Sequence, residues 1–434
     1  MINIDVLIIY EHVSRELESA VLLKKELEKR GLRTRIAQYG WSEPAARFLY
    51  NPKIIIAPWC YDDIDYEFFR EFVGGYDGGR FKLINIHCEQ IGNSEDSGFM
   101  LPSGKAKEVY HFVWGEYFKE KLLGCGTDIN KIFITGNIRL DFFRDTYKKI
   151  SVDKKNLIEK YNLDNCKKWI LIIGSFSGDV LQGKDISQLQ ERGINNIDTW
   201  KKIMLDSYYN ILNWMEYICN KEVVSNDYEI IYRPHPSECI TDNLREIEKK
   251  FSNFHIIGDY AIRDWMINVD KLYAWNSTSA VEAIYSDKPI IFLRPIEIPE
   301  NFRSPLLEKV VKITNPKQFY ESIFNEDDKD DNFNKEFKED VNFYYHKDET
   351  TSVYKMVKLI VEIYNKDENY VYGKISMTKR IFLFIKYIIK CILKKVGLLR
   401  FFPNVKRVAD DVIGRKELRE LITRINSIGD VNER

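Results

Sequence analysis

Short β-branched apolar runs alternate along the chain with segments of helical spacing. Residues 4–10 (IDVLIIY) predict a buried parallel strand. Ser14 would cap a helix whose apolar face is Leu17, Val21, Leu22 and Leu27, closed by Gly31. Further strands are predicted at Arg33–Ala37, Lys53–Ala57, Phe81–His87, Tyr110–Trp114 and Ile132–Thr135, with a helix at Glu116–Leu123. A second series opens at KWILIIGSF (168–176). It continues through a long helix at Thr199–Asn220 and strands at Tyr228–Tyr232, His255–Ile257, Lys271–Ala274 and Pro289–Leu293. Residues 326–340 are so acidic that they read as a solvated, mobile loop, and helical spacing resumes over Thr351–Tyr364. This rhythm predicts an α/β protein of two Rossmann-like doubly wound domains, 1–150 and 151–365, followed by a tail, 366–434.

Composition narrows the class. With 44% hydrophobic and 30% charged residues, the chain is neither a disordered polymer nor a multispan membrane protein. A formal charge of -1 excludes a chain-wide basic field for nucleic acid. The charge is uneven, however: Asn369–Arg407 holds ten Lys or Arg and no Asp or Glu. Seven scattered cysteines without a CxxC pair fit a reducing cytoplasm, and the first residues read as a strand rather than a signal peptide.

In the tail, Lys379, Lys386, Lys390 and Lys394 share one side of a helix, while Ile381, Phe384, Ile385, Ile388, Ile392 and Leu399 mostly fall elsewhere. This predicts a basic amphipathic helix at 379–400 lying on an anionic membrane surface, so that the protein would be cytoplasmic and peripherally attached. The competing reading packs the helix on the protein body with its lysines in solvent. Nucleic acid is not an expected partner, since the tail lacks a stacking platform for bases.

Open α/β sheets bind ligands in the loops after their strands. Three such loops stand out in the second domain. Gly174–Gly178 (GSFSG), with Ser175, offers small residues and hydroxyls to an anion, or is a plain turn. Arg233-Pro234-His235-Pro236 is a proline-stiffened turn carrying a guanidinium and an imidazole, both suited to phosphate oxygens. Ser277, Thr278 and Ser279 open a helix, placing donors at its positive end, and Glu282 could accept ribose hydroxyls or close a capping box with Ser279. In the first domain Glu89 follows a strand and could serve as a general base, or be a solvated loop acid, and Glu11 and His12 are further candidates on an acceptor side. Arg139 and Asp141 read as structural. No Asp-x-Asp follows a strand, and Asp62-Asp63-Ile64-Asp65 reads as surface.

Arg-Pro-His-Pro (233–236), Asn-Ser-Thr-Ser-Ala-x-Glu-Ala (276–283) and Lys-Pro (288–289), with Trp-Gly-x-Tyr (114–117) and Ile-Thr-Gly-Asn-x-Arg-x-Asp (134–141) upstream, resemble a group of bacterial surface-polysaccharide transferases. The group includes CDP-glycerol glycerophosphotransferases, capsular Kdo transferases and polysialyltransferases. The resemblance covers about residues 4–365 and implies a GT-B architecture, two doubly wound domains facing a cleft. It implies transfer from a nucleotide-activated donor, CMP- or CDP-linked, to a glycan or lipid-linked acceptor, with neither metal nor cofactor. It places His235, Ser277, Thr278 and Ser279 on the donor phosphate, with Glu89 as acceptor base. Some members have Gly where this chain has Gln90. The alternatives are a nucleotide-sugar 2-epimerase of the same fold and a non-catalytic scaffold of a polysaccharide assembly complex.

Overall fold

The computed structural model describes residues 2–73, 82–92, 101–183, 196–286, 288–325, 331–346, 348–366 and 377–428. Twelve strands among these form two parallel six-stranded sheets. The first contains β1 (Ile2–Tyr10), β2 (Thr34–Gln38), β3 (Tyr50–Ala57), β4 (Lys82–Asn85), β5 (Tyr110–Val113) and β6 (Ile132–Ile134), in the order β2-β1-β3-β4-β5-β6. The second contains β7 (Lys168–Ile173), β8 (Tyr228–Arg233), β9 (Phe254–Ile256), β10 (Lys271–Ala274), β11 (Ile290–Leu293) and β12 (Lys312–Ile313), in the order β12-β11-β10-β7-β8-β9. Val6–Ile9 and Ile54–Ala57 are buried on both faces, as parallel strands covered by helices must be. The helix Ile197–Cys219 covers the second sheet with Ile203, Ile211, Leu212, Met215 and Ile218. Each such side chain contributes about 1.5–3 kcal/mol on removal from water.

The chain divides into two compact units. One comprises residues 1–90, 101–150 and 343–434, the other 91–100 and 151–342. Residues 343–365 thus pack with the first unit rather than with the second domain, and the tail joins the same unit. The physical reason lies in two motif glycines. A Cβ on Gly115 would meet the Phe343 carbonyl oxygen at 2.5 Å, and one on Gly136 (φ +77°) would meet Ser352 Oγ at 2.5 Å. Asp141 accepts the Ser352 and Val353 N–H groups, each at 2.9 Å, at the start of the helix Ser352–Asn365. Met356, Val357, Ile360 and Ile363 of that helix complete the first core. The Trp-Gly-x-Tyr and Gly-Asn-x-Arg-x-Asp segments are therefore the seat of the returning chain.

Three local expectations change. Ser14 is not an N-cap: His12 holds the extended cap position, and Ser14 lies inside a π-helical turn, Val13–Leu17, that leads into the helix Glu18–Lys29. The acidic stretch 326–340 is not a loop where it is described, since Asp331–Tyr344 is a helix that buries Phe337 and Val341 four residues apart. Residues 326–330 lie outside the described residues. Helices at Glu43–Leu49 and Pro316–Phe324, the second capped by Asn315 accepting from Gln318 N–H at 3.0 Å, were not legible as periodic segments.

The tail helix, Met377–Lys395, packs on the Glu43–Leu49 helix, with Phe384 stacked on Phe48 at 4.5 Å. Lys386, Lys394 and Lys395 are exposed and Lys390 is half-buried, and two of these lysines also reach back to the protein. Lys390 Nζ donates to the Gly40 carbonyl at 2.8 Å, and Lys394 Nζ to that of Ala409 at 2.5 Å. The exposed large apolar side chains along it are Ile381, Phe382, Ile385, Ile388, Ile389, Ile392 and Val396. At about 100° per residue they occupy roughly a third of the circumference. No helix among the described residues is long and apolar enough to cross a membrane.

Candidate functional site

In the second unit β7 lies between β8 and β10. The three loops singled out by sequence therefore leave the carboxyl ends of three adjacent strands, spanning roughly 10 Å at 4.8 Å per strand. They touch one another. A Cβ on Gly174 would collide with Glu238 and Tyr232, and one on Gly178 with the Ser237 carbonyl, so glycine at both positions lets the first loop lie against the second. Phe176 stacks on Trp275 at 4.9 Å, joining the first loop to the third. His235, Ser277, Thr278 and Ser279 are all half-buried rather than sealed in the core.

The His235 ring is oriented by its own turn. Ser237 N–H donates to Nδ1 at 3.2 Å, and Ser237 Oγ lies 2.8 Å from the same atom. An Nδ1 that accepts places the proton of the neutral ring on Nε2, which becomes a donor. Ser277 Oγ accepts the Ser279 N–H at 3.2 Å and donates to Ser279 Oγ at 3.0 Å, which organises the start of the helix Ser279–Tyr285. The Ser175 hydroxyl is buried and has no hydrogen-bond partner among the described residues.

Arg233 has a different role from the expected one. It is buried, and its guanidinium donates to the carbonyls of Gly258 (2.7 Å), Asp259 (3.1 Å) and Tyr260 (2.6 Å). Tyr260 has φ +64°, a left-handed conformation unusual for a residue with a side chain, and Arg233 holds it there. Burial lowers the guanidinium pKa to about 10 against the opposing charges of Asp264, Asp259 and Glu282. Arg233 thus supports a loop with the fork that was expected to meet phosphate. Glu282, expected at the ribose, is likewise buried, and its charge acts on Arg233. A capping box from Ser279 to Glu282 does not form, because the helix starts at Ser279 itself with Thr278 before it.

Two residues were missed. Glu238 accepts the Tyr232 hydroxyl at 2.5 Å and the His235 N–H at 3.0 Å. Arg294, just after β11, is buried, donating to Glu308 at 3.0 Å and to Asn276 Oδ1 at 3.3 Å. Each lies in or just after a strand-end loop, the one signal that could have pointed to it.

In the first unit, the ends of β1, β4, β5 and β6 open on a pocket lined by Arg15, Glu16, Cys88, Trp114 and Arg139 among others. Glu11 N–H donates to Glu16 at 2.6 Å, and Arg15 pairs with the same carboxylate. His12 Nδ1 lies 3.0 Å from Asp411, so the C-terminal segment holds it. Glu89 is half-buried and accepts the Gln90 N–H at 3.1 Å. Gln90 is buried and accepts the Trp114 N–H at 2.8 Å, anchoring the loop. Asp62 and Asp65 accept backbone N–H groups at the start of their own helix, as surface caps do.

No protein-family model matches the chain, and no curated protein does. Solved structures do. The wall teichoic acid polymerase TagF is similar with a TM-score of 0.54 at 11% identity, over 84% of this chain and 90% of that one. A histidine variant of TagF soaked with CDPG gives 0.54 at 10% identity over the same shares. The UDP-GlcNAc 2-epimerase of Neisseria meningitidis, bound to UDP-GlcNAc, gives 0.48 at 14% identity, over 84% of this chain and 100% of that one. At these identities the likeness concerns the fold. The likeness to TagF, together with the two parallel sheets, shows a two-domain α/β fold of GT-B type.

Proposed function

We propose that the chain is a transferase that moves a sugar, or a polyol phosphate, from a nucleotide-activated donor to a surface-polysaccharide or lipid-linked acceptor. The observation that carries this reading is the convergence of Ser175, His235 and Ser277–Ser279 on one edge of the second sheet, half-buried and rich in donors. A CMP- or CDP-linked donor is the first choice, since the resembled group uses cytidine nucleotides. As the acceptor hydroxyl attacks, the bond to the nucleotide phosphate breaks and negative charge grows on the departing oxygens. His235 Nε2–H and the Ser277–Ser279 hydroxyls stabilise that charge. Glu89, in the first unit, is the candidate base toward an acceptor hydroxyl, and the pocket near Glu11 and Arg15 in that unit is the candidate acceptor pocket. In calorimetric titrations with CMP, CDP and UDP, His235→Ala and Ser277→Ala should each weaken binding at least tenfold. Unchanged affinity in both variants would reject the site. Turnover of a nucleotide sugar with no acceptor present would assign the epimerase reading instead.

The same proposal places the protein on the cytoplasmic face of an anionic membrane. Support comes from the exposed row of Ile381, Phe382, Ile385, Ile388, Ile389, Ile392 and Val396, in a segment with ten cations and no anions. Phe382→Glu with Ile389→Glu should abolish co-sedimentation with vesicles containing phosphatidylglycerol and leave nucleotide binding intact. Equal sedimentation of variant and wild type would refute the attachment.

A further inference from the structure

Three residues after His235 the chain places a carboxyl on a turn that this account gives to a phosphate. Glu238 Oε1 accepts the Tyr232 hydroxyl at 2.5 Å and Oε2 the His235 N–H at 3.0 Å, and the Phe176 N–H also donates to the carboxylate. It fills the space that Gly174 leaves by lacking a side chain. One carboxyl therefore ties the first loop, β8 and the histidine turn together.

We propose that Glu238 is a positioning residue that must be protonated when an anionic donor occupies the His235 turn, so that donor binding is coupled to uptake of a proton. This rests on the reading of the turn as the donor site. A phosphate brought to His235 adds a negative charge beside a largely enclosed carboxylate, and like charges at short range favour the neutral acid. The clamp survives protonation: the acid O–H donates to Tyr232 Oη, while the carbonyl oxygen still accepts from His235 N–H. Burial already lifts this carboxyl to about 7, against the pull of its three donors, so the cost of protonation near neutrality is small. The titratable groups around it are Tyr232 on β8, Tyr208 on the helix Ile197–Cys219, Cys239 beside it and His235. Burial holds the phenol pKa of both tyrosines above the usual value, so they stay uncharged, and Glu238 is the carboxylate that a donor at this turn would meet.

The sign follows. Below about pH 7 the free protein already holds the proton, and affinity is at its maximum. Above it, affinity falls by up to about tenfold per pH unit, because a proton must be taken from solution. The test is calorimetry of the full chain with CDP-glycerol and with UDP-GlcNAc, from about pH 6 to 8.5, in buffers of different ionisation enthalpy. The wild type should take up close to one proton per nucleotide bound at the upper end. Glu238→Gln, which keeps an oxygen for His235 N–H, should bind with no uptake and no slope over that range. Proton uptake that persists in Glu238→Gln would assign it to His235 and overturn the proposal, as would wild-type affinity that is flat with pH. The wild-type slope needs no variant, so a misfolded Gln protein would not shield the idea. If neither nucleotide binds at any pH, the donor-site reading fails and this inference with it, whereas pH-independent binding sinks this inference alone.

Discussion

Replacing Arg233 by Lys separates a phosphate ligand from a loop support. The change keeps a positive charge but removes the planar fork. In the native protein that fork reaches three carbonyls, at 2.6–3.1 Å, on the strained turn Gly258–Tyr260. A lysine ammonium at the end of a straight stem keeps one of the three. Two lost bonds at about 1 kcal/mol each give a destabilisation of about 2 kcal/mol. For a unit of roughly 200 residues this lowers the melting temperature by about 4–8 °C. The assay is differential scanning calorimetry of the whole chain, following the transition of the second unit, with nucleotide affinity measured on the same samples at low temperature. Arg233→Lys should lower Tm and change affinity less than about threefold, since the fork does not face the donor. An unchanged Tm with at least a tenfold loss of affinity would show that Arg233 binds phosphate and refute the reasoning.

Gly174→Ala should weaken nucleotide binding severely, because its Cβ enters the space of Glu238 and Tyr232, at a stability cost of about 1–3 kcal/mol, checked by titration and thermal unfolding. Asp141→Ala should destabilise the first unit by about 2–3 kcal/mol, since two buried N–H groups at the start of the Ser352–Asn365 helix lose their charged acceptor, which urea unfolding would measure. His87 and His111 are fully buried, with His87 Nε2 and His111 Nδ1 2.9 Å apart, and burial holds the His111 pKa down to about 4. The unfolded chain gains a proton on this residue below about pH 6.5 while the fold does not. Its contribution is therefore fully present above that pH and is lost on acidification toward pH 4, by up to about 3 kcal/mol. His111→Gln should flatten the pH dependence of unfolding in that window, and an unchanged slope would count against a buried neutral ring.

Most of the fold was legible because buried parallel strands are written as uninterrupted β-branched runs, and Lys271–Ala274 was placed to the residue. What the pattern concealed depended on distant parts of the chain. Asp331–Tyr344 is acidic enough to resemble a loop, and only the burial of Phe337 and Val341 makes it a helix. The return of residues 343–434 to the first unit is set by Gly115, Gly136 and Asp141, whose partners lie over 200 residues away. The site shows the same division. That Ser175, His235 and Ser277–Ser279 each follow a strand was legible; that the three strands are neighbours comes from the order β10-β7-β8 of the folded sheet. That Arg233 turns its fork to three backbone carbonyls, and that Glu238 braces the histidine turn, depends on side-chain directions that local sequence does not encode. In the tail one helix was expected over 379–400; it runs over Met377–Lys395 and stops before Gly397 (φ +73°), and its packing depends on Phe48 and on the carbonyls that take up Lys390 and Lys394.

A single nucleotide site built from three strand-end loops has a direct signature in amide hydrogen exchange of the full chain with and without saturating CDP. Binding should slow exchange together in residues 174–178, 235–239 and 276–282, the segments that follow β7, β8 and β10. Protection confined to any other part of the second unit, or to only one of the three segments, would contradict it.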